Sequence, residues 1–169
     1  MVDDPGEFEI DALIADSVAA SEGKLYVQGG GWDTIWTPIL PFRHSRVGIG
    51  VVLRVAWGAT NQLHQFSVKV VDPDDNPIVL AAAPPGVNLP EGVVREVRGQ
   101  FSLGRPPLLA TGDSQVVPIA INLDGLEFPA PNMYSVVISV DEKVIRRLPL
   151  RVRLSPQMMG SVAQGPIGM

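Results

Sequence analysis

The chain contains no cysteine, which excludes disulfides, thiolate metal sites and cysteine nucleophiles and leaves the redox compartment unmarked. Charge is sparse as well: 18% of the 169 residues are Asp, Glu, Lys or Arg, against 46% apolar. That balance belongs to a folding domain rather than a disordered chain, and it leaves much of the surface neutral. Basic residues are outnumbered, 13 to 18, for a net charge of -5. A nucleic-acid binder needs a basic footprint to match the phosphates, so that class is set aside. Long apolar runs are missing too. The run from Val47 to Trp57 is broken by Arg54 and is too short to cross a bilayer as a helix. The first residues, MVDDPGEFEIDALIADS, carry acid where an export signal needs a basic start and an apolar core. The expectation is a cytoplasmic protein with no membrane span and no cofactor.

What the chain has in abundance is punctuation. Its 17 glycines and 16 prolines are spread between short apolar runs, and within those runs apolar and polar residues alternate with the period of a strand, while helical spacing fails. Phe8, Ile10, Ala12 and Ile14 share one face, with Glu7, Glu9 and Asp11 on the other. A turn at Ser21 to Lys24 leads into a second strand at Leu25. Val47, Ile49, Val51, Leu53, Val55 and Trp57 form the clearest alternation, the mark of a central strand, and with His64, Phe66, Val68 and Val70 they read as a hairpin. Asp72-Pro-Asp-Asp-Asn-Pro77 is a turn, followed by a short strand over 78–82. The proline-rich stretch 83–90 reads as a crossing loop between sheets. Val97 to Leu103 and Val117 to Leu123 alternate again, and Pro118 assigns the latter to an edge or a bulge. Tyr134 to Val140 and Val144 to Leu154 close the domain as a hairpin about Asp141-Glu142-Lys143. About nine strands follow, and the fold predicted is an all-β, two-sheet antiparallel sandwich, immunoglobulin-like with Greek-key connections, over residues 1–154. Residues 155–169 form a neutral tail. A compact domain of this length buries roughly 70% of the surface its unfolded chain exposes, so no metal or disulfide is required for stability.

The segments IADSVAASEGKLYVQGGGWDTIW, RVGIGVVLRVAW, DPDDNPI and FSLGRPP together resemble a small family of bacterial β-sandwich proteins of unknown function, common in actinobacteria. The resemblance spans most of the chain between Ala12 and Leu154. It implies the fold and carries no catalytic residue with it.

Chemistry has few footholds. Asp72, Asp74 and Asn76 have the oxygen spacing that opens a calcium loop, but Pro77 replaces the required glycine and Ala83 stands where a closing glutamate belongs. A plain turn is the reading preferred. Gly29-Gly30-Gly31 lacks the Lys-Ser or Lys-Thr that would make it a phosphate loop, and marks a bulge or a close backbone approach instead. Asp16, in the opening hairpin, looks buried. His64 falls on an apolar face, as a hydrogen-bonded structural histidine does. His44 could serve as a base, but no elbow motif presents a serine, so a hydrolase ranks third among the functions considered.

Surface features say more. Asp3, Asp4, Glu7, Glu9 and Asp11 crowd the first strand, and Arg146, Arg147, Arg151 and Arg153 crowd the last. If these strands are neighbours the two sets pair across the ladder; if not, they are complementary surfaces for contact between subunits. The tail carries Met158 and Met159 and no charge, and offers a third contact. The function expected is a non-catalytic interaction or assembly module with a protein partner or a second copy of itself. The alternative is a small-molecule or carbohydrate-binding sandwich that uses Trp32 or Trp36.

Overall fold

Alternation with a period of two places every second side chain of a strand on one face, and this chain uses that row to fill the space between two sheets. The computed structural model describes residues 6–82 and 93–156. In chain order the strands are β1 (Phe8–Ser21), β2 (Lys24–Gly30), β3 (Thr34–Thr37), β4 (Phe42–Val55), β5 (Leu63–Val71), β6 (Ala81–Ala82), β7 (Val93–Val94), β8 (Val97–Ser102), β9 (Gln115–Phe128), β10 (Asn132–Val140) and β11 (Lys143–Leu154), with a 3-10 turn at Trp57–Ala59. A four-stranded sheet ordered β2-β1-β4-β9 and a five-stranded sheet ordered β3-β11-β10-β5-β8 enclose the core, and β6 pairs with β7 alone. The molecule is an all-β, two-sheet sandwich of nine principal strands.

Val47, Ile49, Val51, Leu53 and Val55 line the inner face of β4 and are fully buried against Val68, Val70, Val136, Ile138, Leu150 and Val152 of the opposite sheet. Each such side chain contributes about 1.5–3 kcal/mol through its burial. The turns that set the registers are two residues long. Glu22 and Gly23 have φ of 50° and 71°, Asp141 and Glu142 of 48° and 65°, the left-handed pair that matches the twist of a hairpin. Pro118 lies on β9, the edge strand of its sheet, the place in a sheet where proline is tolerated.

Three expectations are corrected. The sandwich is not wholly antiparallel, since β3 runs parallel to β11, pairing Thr34 with Arg151 and Trp36 with Arg153. β4 and β5 are not a hairpin but lie in opposite sheets. The chain crosses at the 3-10 turn, where Thr60 Oγ1 donates to the Trp57 carbonyl at 2.7 Å and Trp57 leaves the inner row to sit under the Arg105 guanidinium, 4.3 Å away. The proline-rich stretch does not change sheets, because β5 before it and β8 after it pair with each other; 83–92 lie outside the described residues, as do Asp3, Asp4, Met158 and Met159.

One departure from regular pairing shapes the surface. β9 follows β4 along its whole length, from Val55↔Gln115 to Phe42↔Phe128, whereas β1 pairs with β4 only as far as Ala15↔Gly48. Beyond that point Asn122 of β9 clamps the backbone of Val18, accepting from its N–H at 3.0 Å and donating to its carbonyl at 2.8 Å. The tip of the β1–β2 hairpin therefore folds over the outer face of its own sheet, held on β9 by a side chain in place of a ladder. Gly48 and Gly50 make room for it: a Cβ on Gly48 would lie 3.1 Å from the Ser17 backbone, and one on Gly50 3.1 Å from Leu25.

Candidate functional site

The departing hairpin leaves the first half of β4 without β1 beside it, and a cleft opens there. It has a volume of about 320 Å³ and is lined by Asp16, Trp32, Thr34, Ile35, Trp36, Phe42 and His44. Asp16 is the first residue past the last β1–β4 pair. It is exposed, contrary to the expectation that it is buried, and its Oδ1 accepts from Trp32 Nε1 at 3.0 Å. Gly29 makes this possible, with φ of 61° and the Asp16 carboxylate in the space its Cβ would fill. The glycine run is thus a close backbone approach with β1–β2 register unbroken on either side, Ala15 against Gly30 and Ser17 against Gln28. Trp32 and His44 meet edge to face at 6.0 Å between centroids, and the Phe42 ring lies 5.9 Å from His44. Burial holds the His44 imidazole below the usual histidine range, although a backbone bond at Arg46 and the Asp16 charge pull the other way. Trp36 is 60% exposed. The structure thus brings together Trp32 and Trp36, which the sequence singled out, with Asp16, Phe42 and His44, which it did not join to them.

The charged stripes do not pair across a ladder. β1 lies between β2 and β4, and β11 between β3 and β10, in the other sheet. Glu7, Glu9 and Asp11 are exposed; Glu9 and Asp11 project from the outer face of the four-stranded sheet, opposite Arg54 and Val52 of β4. Arg147, Arg151 and Arg153 project from the outer face of the five-stranded sheet, while Arg146 is exposed beside the register shift at Ile138/Ser139. Arg147 pairs with Asp75 at 2.7 Å, and Arg151 is bonded to the Asp33 carboxylate. The Asp33 carboxyl is held below its ordinary range by the Thr34 hydroxyl and by Arg151. Among the described residues neither Arg146 nor Arg153 has an ion-pair partner. Trp36 stands beside Arg153 in register, so an exposed aromatic and a free guanidinium share one end of this face.

The remaining candidates are structural. Asp72 Oδ1 accepts from the amides of Asp74 and Asn76, both at 2.9 Å, and its Oδ2 from the Asn76 side chain at 3.3 Å. The calcium-like spacing is spent on capping its own turn, and Asp75, between them, is taken by Arg147. His64 is buried and bonded on both ring nitrogens, to Ala59 O at 2.6 Å and Asp141 Oδ2 at 2.7 Å. Among the described residues no three His, Asp or Glu side chains gather as a metal site. No helix there is long and apolar enough to cross a membrane.

Fold and surface together define a β-sandwich with Glu9 and Asp11 on one outer face, an arginine row on the other, and an aromatic cleft at one edge. Residues 10–153 match a family of unknown function, DUF6941, and the chain belongs to that family. No curated protein and no solved structure gives a match.

Proposed function

We propose that the protein is a non-catalytic interaction module that assembles with further copies of itself through its two outer faces. The observation that carries this reading is the placement of Glu9 and Asp11 on one face and of the arginines on the opposite one. Surfaces that differ in this way complement each other head to tail, and a heterologous contact of that kind builds rings or open stacks. Arg153 and Trp36 make the arginine face a credible centre for such a contact, since Arg and Trp lead the residue types that dominate binding energy.

We further infer that the sandwich is immunoglobulin-like. The order β1-β4-β9 corresponds to strands A, B and E, and β11-β10-β5-β8 to G, F, C and C′. Tyr134, near the start of β10, donates to the Ala130 carbonyl at 2.9 Å, as the tyrosine at the E–F corner does in that fold. An arrangement of this kind presents broad sheet faces and suits adhesion between modules better than chemistry.

A charge swap tests the assembly. Wild-type protein at low salt should sediment as species heavier than the monomer. Arg153→Glu alone, and Glu9→Lys with Asp11→Lys alone, should each sediment as monomers. Mixing the two variants should restore the heavy species, because each then offers the face that the other lost. A wild-type monomer at high concentration and low salt, or two variants that stay monomeric when mixed, would overturn the reading.

A further inference from the structure

The proposed assembly draws on one residue alone, Trp36, of the cleft at the edge of the sandwich. Its walls are the rings of Trp32, Trp36, Phe42 and His44, and its charged group is the Asp16 carboxylate. No Lys or Arg lines it, and among the described residues Asp16 has no ion-pair partner. Its Oδ1 takes the Trp32 indole N–H at 3.0 Å and its Oδ2 packs over Gly29, so the carboxylate is fixed in place and acts on a ligand through its full charge. The rings are set at an angle to one another, 64° between Trp32 and His44 and 59° between Phe42 and His44, so they form an uneven wall to an open cleft rather than stack into a slab.

From this geometry we propose that the cleft binds an organic monocation, of the alkylated ammonium type, held by the aromatic walls and the Asp16 carboxylate. Aromatic faces carry the negative lobe of the ring quadrupole, and a carboxylate among them adds a full negative charge. That combination favours a cation that is bulky, weakly hydrated and apolar at its periphery. A volume of about 320 Å³ accommodates such a group, at the lower end of the range for small-ligand sites. His44 supports the same polarity, because burial favours its neutral form and so keeps a competing positive charge out of the cleft. A sugar would also stack on Trp36 and donate a hydroxyl to the carboxylate, but only a cation neutralises the full negative charge, and that decides for the cation.

Calorimetric titration with choline, 3,3-dimethylbutan-1-ol and methyl glucoside tests this. The alcohol has the shape of choline without its charge. Choline should bind, and the alcohol about tenfold more weakly or worse, the factor expected for a cation–π and carboxylate contribution of this size. Asp16→Asn, which keeps an oxygen for the Trp32 N–H, should weaken choline about tenfold and leave the alcohol unchanged. Trp36→Ala, at an exposed position, should weaken choline by a similar factor. The proposal is overturned if choline does not bind, if the alcohol binds equally well, or if methyl glucoside binds in its place.

Discussion

At the scale of single residues, His64 is the position whose protonation the fold decides. Its two partners, the Ala59 carbonyl and the Asp141 carboxylate, only accept hydrogen bonds, so both ring nitrogens must carry protons. Burial works against the charge, but the bonds to Ala59 and Asp141 outweigh it and the imidazole is raised above the usual histidine range. A group raised on folding stabilises fully below its unfolded value, about 6.5, and that contribution is lost as pH climbs through the folded value. Asp141 acts at the other end: bonds from the Gln65 amide and from His64 lower it, and its contribution disappears as pH falls below about 3.8. His44 has the opposite sign to His64, since its lowered value makes acidification below about 6.5 costly. His64→Phe, which fits among Phe8 and Phe101, should therefore lower Tm at pH 6 and cost less at pH 9. A difference in Tm that does not change between those pH values would refute the imidazolium assignment. The alternation of its strand already marks His64 as a bonded histidine of an apolar face. Asp141, 77 positions away, becomes its partner only once β5 and β10 are paired, which no local pattern declares.

Among the elements, the β1–β2 hairpin does the most to shape the surface, and it depends on two glycines with different tolerances. A Cβ at Gly48 would press on Ala15 O and on Ser17 Cα and carbonyl carbon, all at 3.1 Å and all backbone. One at Gly50 would meet the Leu25 and Val18 side chains at 3.1 and 3.3 Å, and a leucine methyl can turn aside. Gly48→Ala should therefore cost about 1–3 kcal/mol. Gly50→Ala should be close to neutral, its crowding offset by about 0.4–1 kcal/mol from the stiffer unfolded chain. Urea midpoints check both, and equal losses would mean that the hairpin does not lie on β4 as described. Strands and two-residue turns were legible because alternation and turn residues act within ten positions. Sheet membership was not. β4 and β5 alternate like the arms of a hairpin, yet a three-residue 3-10 turn sends them to opposite sheets, and β3 carries four residues with no signal for a parallel partner. The bent hairpin was hidden for the same reason, since its clamp joins Val18 to Asn122, 104 positions on. The cleft that follows from the bend could not be read before the bend itself.

For the molecule as a whole, the charged rows were readable from alternation, but whether they cancel within one chain or face away from each other depends on which strands are neighbours. With β1 and β11 in different sheets the rows face away from each other, each partly offset on its own face, Glu9 by Arg54 in register and Arg147 and Arg151 by Asp75 and Asp33. In the proposed assembly, a contact between two like faces would bring arginines against arginines or carboxylates against carboxylates, so an isologous dimer would be disfavoured and growth would run head to tail. Head-to-tail growth does not stop at two unless the rotation closes a ring. Light scattering over a concentration series at low salt should accordingly show mass rising past the dimer. Raising the salt to about 1 M shortens the screening length from about 10 Å to about 3 Å and should return the protein to monomers. A mass fixed at the dimer across the series, or indifferent to salt, would place the contact on a different surface. The exposed β2 edge around Tyr26 and Val27 is the apolar surface to test next, because an unpaired edge strand can join two copies without any charge.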